Sequence, residues 1–312
     1  MNIRRFLYLI MTAVVLTAAV LSCEKKEDDS DIILGGNSGS GNTSGGIDVT
    51  PPVDLTGYAS RIEVPALKSG NLFIQHSTQE KQGWVMNYCL EYDTEANHSY
   101  WVAFRFDALT SAKTVGRSGD FAEDPDLPSK YYHGSGGFGS GYDRGHLCAS
   151  ADRLHSLSAN YQTFYMTNMS PQMSRFNQDY WVGFEGKVQT WGRDRAFCDT
   201  LYVVKGGTIA DGQTLGTLSR NGKKVVIPKY YFMALLKCKN NTYSAMAFWM
   251  EHKDYNIVFD NLKSEEKKRE FVSKAVSIDR LEELTGIDFF HNLPDVIEEQ
   301  VESQLVLSAW GL

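Results

Sequence analysis

Asp143-Arg144-Gly145-His146 is preceded by Arg117 and followed by Asn177 and Glu185, and these residue types are the parts that hydrolysis of a phosphate ester requires. Such a reaction needs a water made nucleophilic, positive charge on the phosphoryl oxygens and a proton for the leaving oxygen. With an ordinary pKa near 6.5, His146 can accept a proton at neutral pH and is the candidate general base. The guanidinium forks of Arg117 and Arg144 match two phosphate oxygens each, which makes them candidate clamps. An amide oxygen such as that of Asn177 is a hard, neutral ligand for a cation like Mg²⁺, which prefers oxygen and keeps several of its waters.

These groups act together only if the chain between them is suitably folded. Aromatic and branched residues recur with partial alternation over Phe73–His76, Trp84–Tyr92 and Tyr100–Phe106, which predicts successive antiparallel strands. The Gly- and Pro-rich stretch from Asp124 to Gly141 excludes a helix. Ser150–Tyr161 reads as helix or loop and Gln162–Thr167 as a strand. Tyr180, Trp181, Phe184 and Val188 then share one face of an amphipathic helix spanning Asn177–Trp191. Glu185 lies eight residues after Asn177, slightly over two turns, so both can face the same side. Further strands are expected at Leu201–Val204, Lys224–Ile227, Tyr231–Leu236 and Ser244–Met250, with helices at Ser264–Ala275 and Asp279–Leu284. The class is α+β, a mainly antiparallel sheet flanked by helices.

Four blocks in order carry a family resemblance: Gly116-Arg117-Ser118-Gly119-Asp120-Phe121, Tyr142-Asp143-Arg144-Gly145-His146, Thr167-Asn168-Met169-Ser170-Pro171-Gln172 with Asn177 and Glu185, and Leu284-Thr285-Gly286-Ile287-Asp288-Phe289-Phe290. Their order and spacing from about Thr56 to Leu293 resemble the DNA/RNA non-specific endonuclease family of the ββα-metal superfamily. The resemblance implies a ββα-metal catalytic core, Mg²⁺ as cofactor with Mn²⁺ as a substitute, and DNA and RNA as substrates held through the phosphate backbone. It makes Asn177 the direct metal ligand, assigns Glu185 to a water on the metal, and gives Asn168 and Gln172 supporting positions. Asp143 is expected to orient its neighbours. Where the family often carries a further arginine one turn beyond the acidic residue, this chain has Gln189, with Arg175, Lys187 and Arg193 the candidates to replace that charge. The alternative reading is a surface nucleic-acid-binding protein of the same fold whose turnover is weakened.

The N-terminus bears on location. Arg4 and Arg5 precede an apolar run from Phe6 to Leu21 and a lipobox-like Val20-Leu21-Ser22-Cys23, which reads as a lipoprotein signal peptide over residues 1–23 with lipid on Cys23. Residues 24–54, acidic and then rich in Gly, Ser and Asn, are expected to form a disordered tether. Residues 55–312 would be the endonuclease domain, exported and held at an outer membrane or cell surface. The 312 residues carry a formal charge of −7; four basic and seven acidic side chains in residues 1–54 leave the remainder at −4. Bulk attraction to polyanions is thereby excluded, so phosphate must be met by placed arginines and a metal. Cys89, Cys148, Cys198 and Cys238 form no Cys-x-x-Cys pair, which argues against a zinc cluster. Export permits disulfides, at least one is expected, and three pairings remain open.

Overall fold

The computed structural model describes residues 60–312 apart from Ser140. The leader, Cys23 and the tether lie outside the described residues. Along the chain run β1 (Leu72–Glu80), β2 (Gly83–Asp93), β3 (His98–Phe106), β4 (Tyr142–His146), α1 (Leu157–Gln162) and β5 (Met169–Met173). A π-helical turn (Phe176–Trp181) leads directly into α2 (Val182–Arg193). Then come β6 (Thr200–Gly207), β7 (Thr214–Arg220), β8 (Lys223–Pro228), β9 (Tyr230–Lys239), β10 (Thr242–Glu251), α3 (Ser264–Lys274), β11 (Ala275–Val276), α4 (Ile278–Thr285) and α5 (Asp295–Glu302). Among the described residues no helix is long and apolar enough to cross a membrane.

Seven strands form one antiparallel sheet in the order β1-β2-β3-β6-β9-β10-β11. Its central strands are nearly continuous apolar runs because both faces are covered. Alternate residues divide cleanly between two cores. Val102, Phe104, Leu201, Val203, Met233, Leu235, Met246 and Phe248 pack with Phe176, Tyr180, Trp181, Phe184, Val188 and Trp191 of the helical segment. Trp101, Ala103, Val204, Phe232, Ala234 and Ala247 face the other way, onto Ile278 and Leu281 of α4 and the chain at Ile287, Phe289, Phe290 and Leu293. The amphipathic stripe of Tyr180, Trp181, Phe184 and Val188 therefore seats the helix that carries Glu185 on the sheet.

Two expectations are corrected. Gln162–Thr167 is not a strand; the segment turns, forms a 3₁₀ turn at Met166–Asn168, and the strand begins at Met169. Pro171 lies inside β5, which pairs with β4 alone in a two-stranded sheet, an edge setting that tolerates the missing N–H. Cys89, Cys148, Cys198 and Cys238 are free and buried, with no disulfide among them. Cys89 on β2 and Cys238 on β9 are separated by β3 and β6, far beyond the roughly 4–7 Å between Cα atoms that a disulfide spans.

Two glycines of α2 separate packing from propensity. A Cβ on Gly183 would stand 2.1 Å from the ring of Phe259, itself 2% exposed, whereas a Cβ on Gly186 would meet nothing within 4 Å. Gly183→Ala is expected to lower the unfolding free energy by about 1–3 kcal/mol through overpacking. Gly186→Ala should raise it by up to about 1 kcal/mol, because alanine orders more cheaply in a helix interior. Urea midpoints of the two variants check both signs.

Candidate active site

β4 pairs with β5 in the register Asp143↔Gln172, Arg144↔Pro171, Gly145↔Ser170 and His146↔Met169, and the helical segment starting at Phe176 completes a ββα unit. This unit is tied to the large sheet by polar contacts. His98 Nε2 lies 2.6 Å from Ser170 Oγ, which lies 2.6 Å from Tyr231 Oη, and that hydroxyl donates to the Pro171 carbonyl at 3.0 Å. Met173 N donates to His252 Nε2 at 2.7 Å. At the end of β4, Asn168 uses its whole amide: Oδ1 accepts from Cys148 N at 2.8 Å, and Nδ2 donates to the carbonyls of Cys148 and Thr163. The chain leaving His146 is thus held from one side chain. Gln172 lies under Gly145, where a Cβ would stand 2.1 Å from its Oε1, so β4 needs a glycine there.

Strand alternation puts Arg144 and His146 on one face of β4. There two phenyl rings, not singled out by sequence, organise the positive charge. Phe121 and Phe164 lie 5.8 and 5.0 Å from the His146 ring and 5.1 Å from each other, centroid to centroid. The Arg144 guanidinium sits 3.5 Å from the centre of Phe121, and that of Arg117 sits 4.7 Å from the centre of Phe164. Arg144 also donates to the Ser135 carbonyl at 2.6 Å. Neither ring nitrogen of His146 has a hydrogen-bonding partner among the described residues, and Nε2 is enclosed. Burial and then the Arg117 charge push the pKa of His146 down to about 3, so its imidazole is neutral at physiological pH.

The loop that delivers Arg117 and Phe121 is pinned at three points. Ser118 N donates to Asn160 Oδ1 at 2.7 Å, Met166 N donates to the Ala122 carbonyl at 2.9 Å, and Asp124 pairs with His76 at 2.9 Å. Asp126 meets the other ring nitrogen of His76 at 3.3 Å. Two carboxylates on different ring nitrogens describe a clamped imidazolium. Burial opposes its charge, but Asp124 and Asp126 prevail and push the pKa up to about 9.

On the helical side, Asp143 accepts from Ser174 Oγ at 2.8 Å, Gln178 Nε2 at 2.7 Å and Asn177 Nδ2 at 3.0 Å. A carboxylate only accepts, so the amide nitrogen of Asn177 must face it, leaving Oδ1 without a partner among the described residues. An unused amide oxygen of fixed orientation suits a hard divalent cation. Glu185 accepts from Trp181 Nε1 at 2.9 Å through Oε1, and its Oε2 has no protein partner among the described residues. Burial pushes the Glu185 carboxyl above the ordinary carboxylate range, against the pull of Lys205.

Lys205 and Asp152 are the residues that sequence reasoning missed. Both are wholly buried, joined at 2.8 Å, with Lys205 Nζ also 3.7 Å from Glu185 Oε1. Asp152 caps Ala149 N at 2.9 Å and accepts from Gln189 Nε2 at 2.9 Å. None of the residues considered as stand-ins for an arginine at 189 contacts Glu185: Arg175 pairs with Asp179 and Asp254, Lys187 lies over Trp191, and Arg193 donates to the carbonyls of Ser111 and Ala151. The cation beside Glu185 comes from the sheet. A lysine within an apolar strand gives no local signal of that role.

Comparison with known proteins agrees with this geometry. The chain is 28% identical over 226 residues to a nuclease of Nostoc sp., covering 70% of this chain and 76% of that protein. It is 28% identical over 218 residues to nuclease C1 of Cunninghamella echinulata, covering 66% and 81%. Human mitochondrial endonuclease G is 30% identical over 161 residues, covering 48% and 52%. The crystal structure of an EndoG/EndoGI complex superposes with a TM-score of 0.59 at 20% identity, covering 80% of this chain and 96% of that one, and shows the shared fold. The family profile described as DNA/RNA non-specific endonuclease matches residues 68–296. With the ββα unit in place, the chain belongs to the DNA/RNA non-specific endonuclease family, a family of metal-dependent nucleic-acid hydrolases.

Proposed function

We propose that the chain is a Mg²⁺-dependent endonuclease that hydrolyses DNA and RNA without sequence preference, exported and anchored by a lipid on Cys23. The observation that carries the reaction is His146: a neutral imidazole with no hydrogen-bonding partner among the described residues, packed against two aromatic rings that each bear a guanidinium. In this reading Arg117 and Arg144 clamp the phosphate, and His146 takes the proton of the attacking water. A phosphate anion seated at the arginines offsets the Arg117 contribution to the depressed imidazole pKa and leaves burial, its larger cause, in place. Asn177 Oδ1 holds the Mg²⁺, for which Mn²⁺ can substitute, and Glu185 Oε2 orients water beside it. When bound, the ion supplies positive charge to the phosphoryl oxygens and acidifies its own waters. Every one of these groups addresses phosphate and none a base edge, which supports cutting of both nucleic acids without sequence readout.

The weakened-binder alternative rests on Gln189 and on the formal charge of −7. Gln189 is turned inward onto Asp152, and Lys205 supplies a cation beside Glu185, so the substitution leaves no charge deficit at that carboxylate. Plasmid and RNA cleavage distinguish the two readings, because a binder retards substrate on a gel and yields no product.

His146→Ala should lose about 10²–10⁴-fold in kcat while keeping the thermal midpoint, and EDTA should stop cleavage of both supercoiled plasmid and RNA. Wild-type rates in either case would defeat the mechanism. In the free protein the His146 ring resonances should stay at their neutral positions from pH 7 to pH 4, since its folded pKa lies near 3; a midpoint near 6.5 would mean a solvated ring. Lys205→Met should cost roughly 3–5 kcal/mol of stability by leaving Asp152 buried and unpaired. Adding Asp152→Asn should recover much of that stability without recovering kcat, and full recovery of rate would assign Lys205 to folding alone. For the anchor, Cys23→Ser should move the chain from the membrane fraction to the soluble one; a membrane-bound serine variant would refute lipidation at that residue.

A further inference from the structure

On the face of the sheet away from the ββα unit, α4 and α5 bring three carboxylates together. Asp279 lies in the first turn of α4, Glu282 one turn later, and Glu302 at the end of α5, and one oxygen from each lies within 4.8 Å of the others. Glu302 is 5% exposed, and its buried Oε1 has no hydrogen-bonding partner among the described residues. Among the described residues Glu282 gains one donor, the backbone N–H of Phe289 at 2.7 Å. The charges that act most strongly on Glu302 are Glu282, Glu298, Asp279 and Asp288, all carboxylates. Arg280, the basic residue of α4, pairs with exposed Glu283 instead.

Burying an unpaired carboxyl oxygen among like charges is unfavourable unless something positive joins it. A proton on Glu302 removes one charge, whereas a divalent cation offsets two and gives one oxygen of each carboxylate a partner. The donor set is oxygen only, with no imidazole or thiolate, which favours a hard ion over a transition metal. Calcium accepts six to eight oxygens in irregular geometry, and exposed Asp279 leaves room for water to complete the shell. We propose that Asp279, Glu282 and Glu302 form a structural divalent-cation site of the calcium class, separate from the Asn177 site. Occupied, it cross-links α4 to α5 and fastens the segment whose Ile287, Phe289, Phe290 and Leu293 close the second core.

The test uses calcium chloride added to the EDTA-treated, dialysed protein, read by thermal melting and by calorimetric titration. The wild-type midpoint should rise by roughly 3–6 °C at ten times the dissociation constant. Asn177→Ala, which removes the proposed catalytic ligand, should keep that rise. Glu302→Gln should abolish it while melting no lower than the metal-free wild type, since a buried charge has been removed. Absence of any calcium-dependent rise in the wild type overturns the proposal, and so does a rise that Asn177→Ala abolishes and Glu302→Gln retains. Neither result bears on cleavage, so this site and the nuclease reading fail independently.

Discussion

The arrangement turns on one ammonium group inside the sheet. Lys205 reaches from β6 to Asp152, which caps the chain three residues after His146, and towards Glu185 on the helix. Burial opposes its charge, yet Asp152 and Glu185 keep it protonated. An ion pair of this kind contributes little net stability compared with apolar packing, but removing one partner is costly. Its use is therefore geometric. It ties the separation between His146 and the acidic helix residue to the sheet.

An acidic protein that must meet phosphate has a second problem, which is to hold exposed cations in place. Here the solution is aromatic. Phe121 and Phe164 carry Arg144 and Arg117 over their rings and pack beside His146, so the guanidiniums are held in place before any anion arrives. Less side-chain freedom remains to be lost on binding. The same enclosure keeps the imidazole neutral, which couples charge placement to the protonation state of His146.

Much of this was legible because it is local. The Asp143–His146 strand, Asn177 and Glu185 lie in short ordered blocks, and period-two and period-3.6 patterns marked the central strands and the long helix. What escaped notice depends on distant contacts. Lys205 finds Asp152 across 53 residues of sequence, and Phe164 meets Phe121 only after the Arg117 loop is pinned. β7 escaped because its residues are largely exposed and carry no apolar signal. The strand expected at Gln162–Thr167 lies later, at Met169–Met173, where the two-stranded edge setting makes Pro171 acceptable.

The π-helical turn at Phe176–Trp181 has one more implication. Such a turn is an α-helix into which one residue has been inserted, so the backbone there is wider and angularly offset from the regular turns of α2. Asn177 stands inside the widened turn and Glu185 beyond it. Excising a single residue there would straighten the helix and swing the carboxamide by about a quarter of a revolution, away from Asp143, while the apolar stripe stayed on the sheet. The helix is thus phased twice, once for packing and once for the contact of Asn177 with Asp143, and the extra residue reconciles the two.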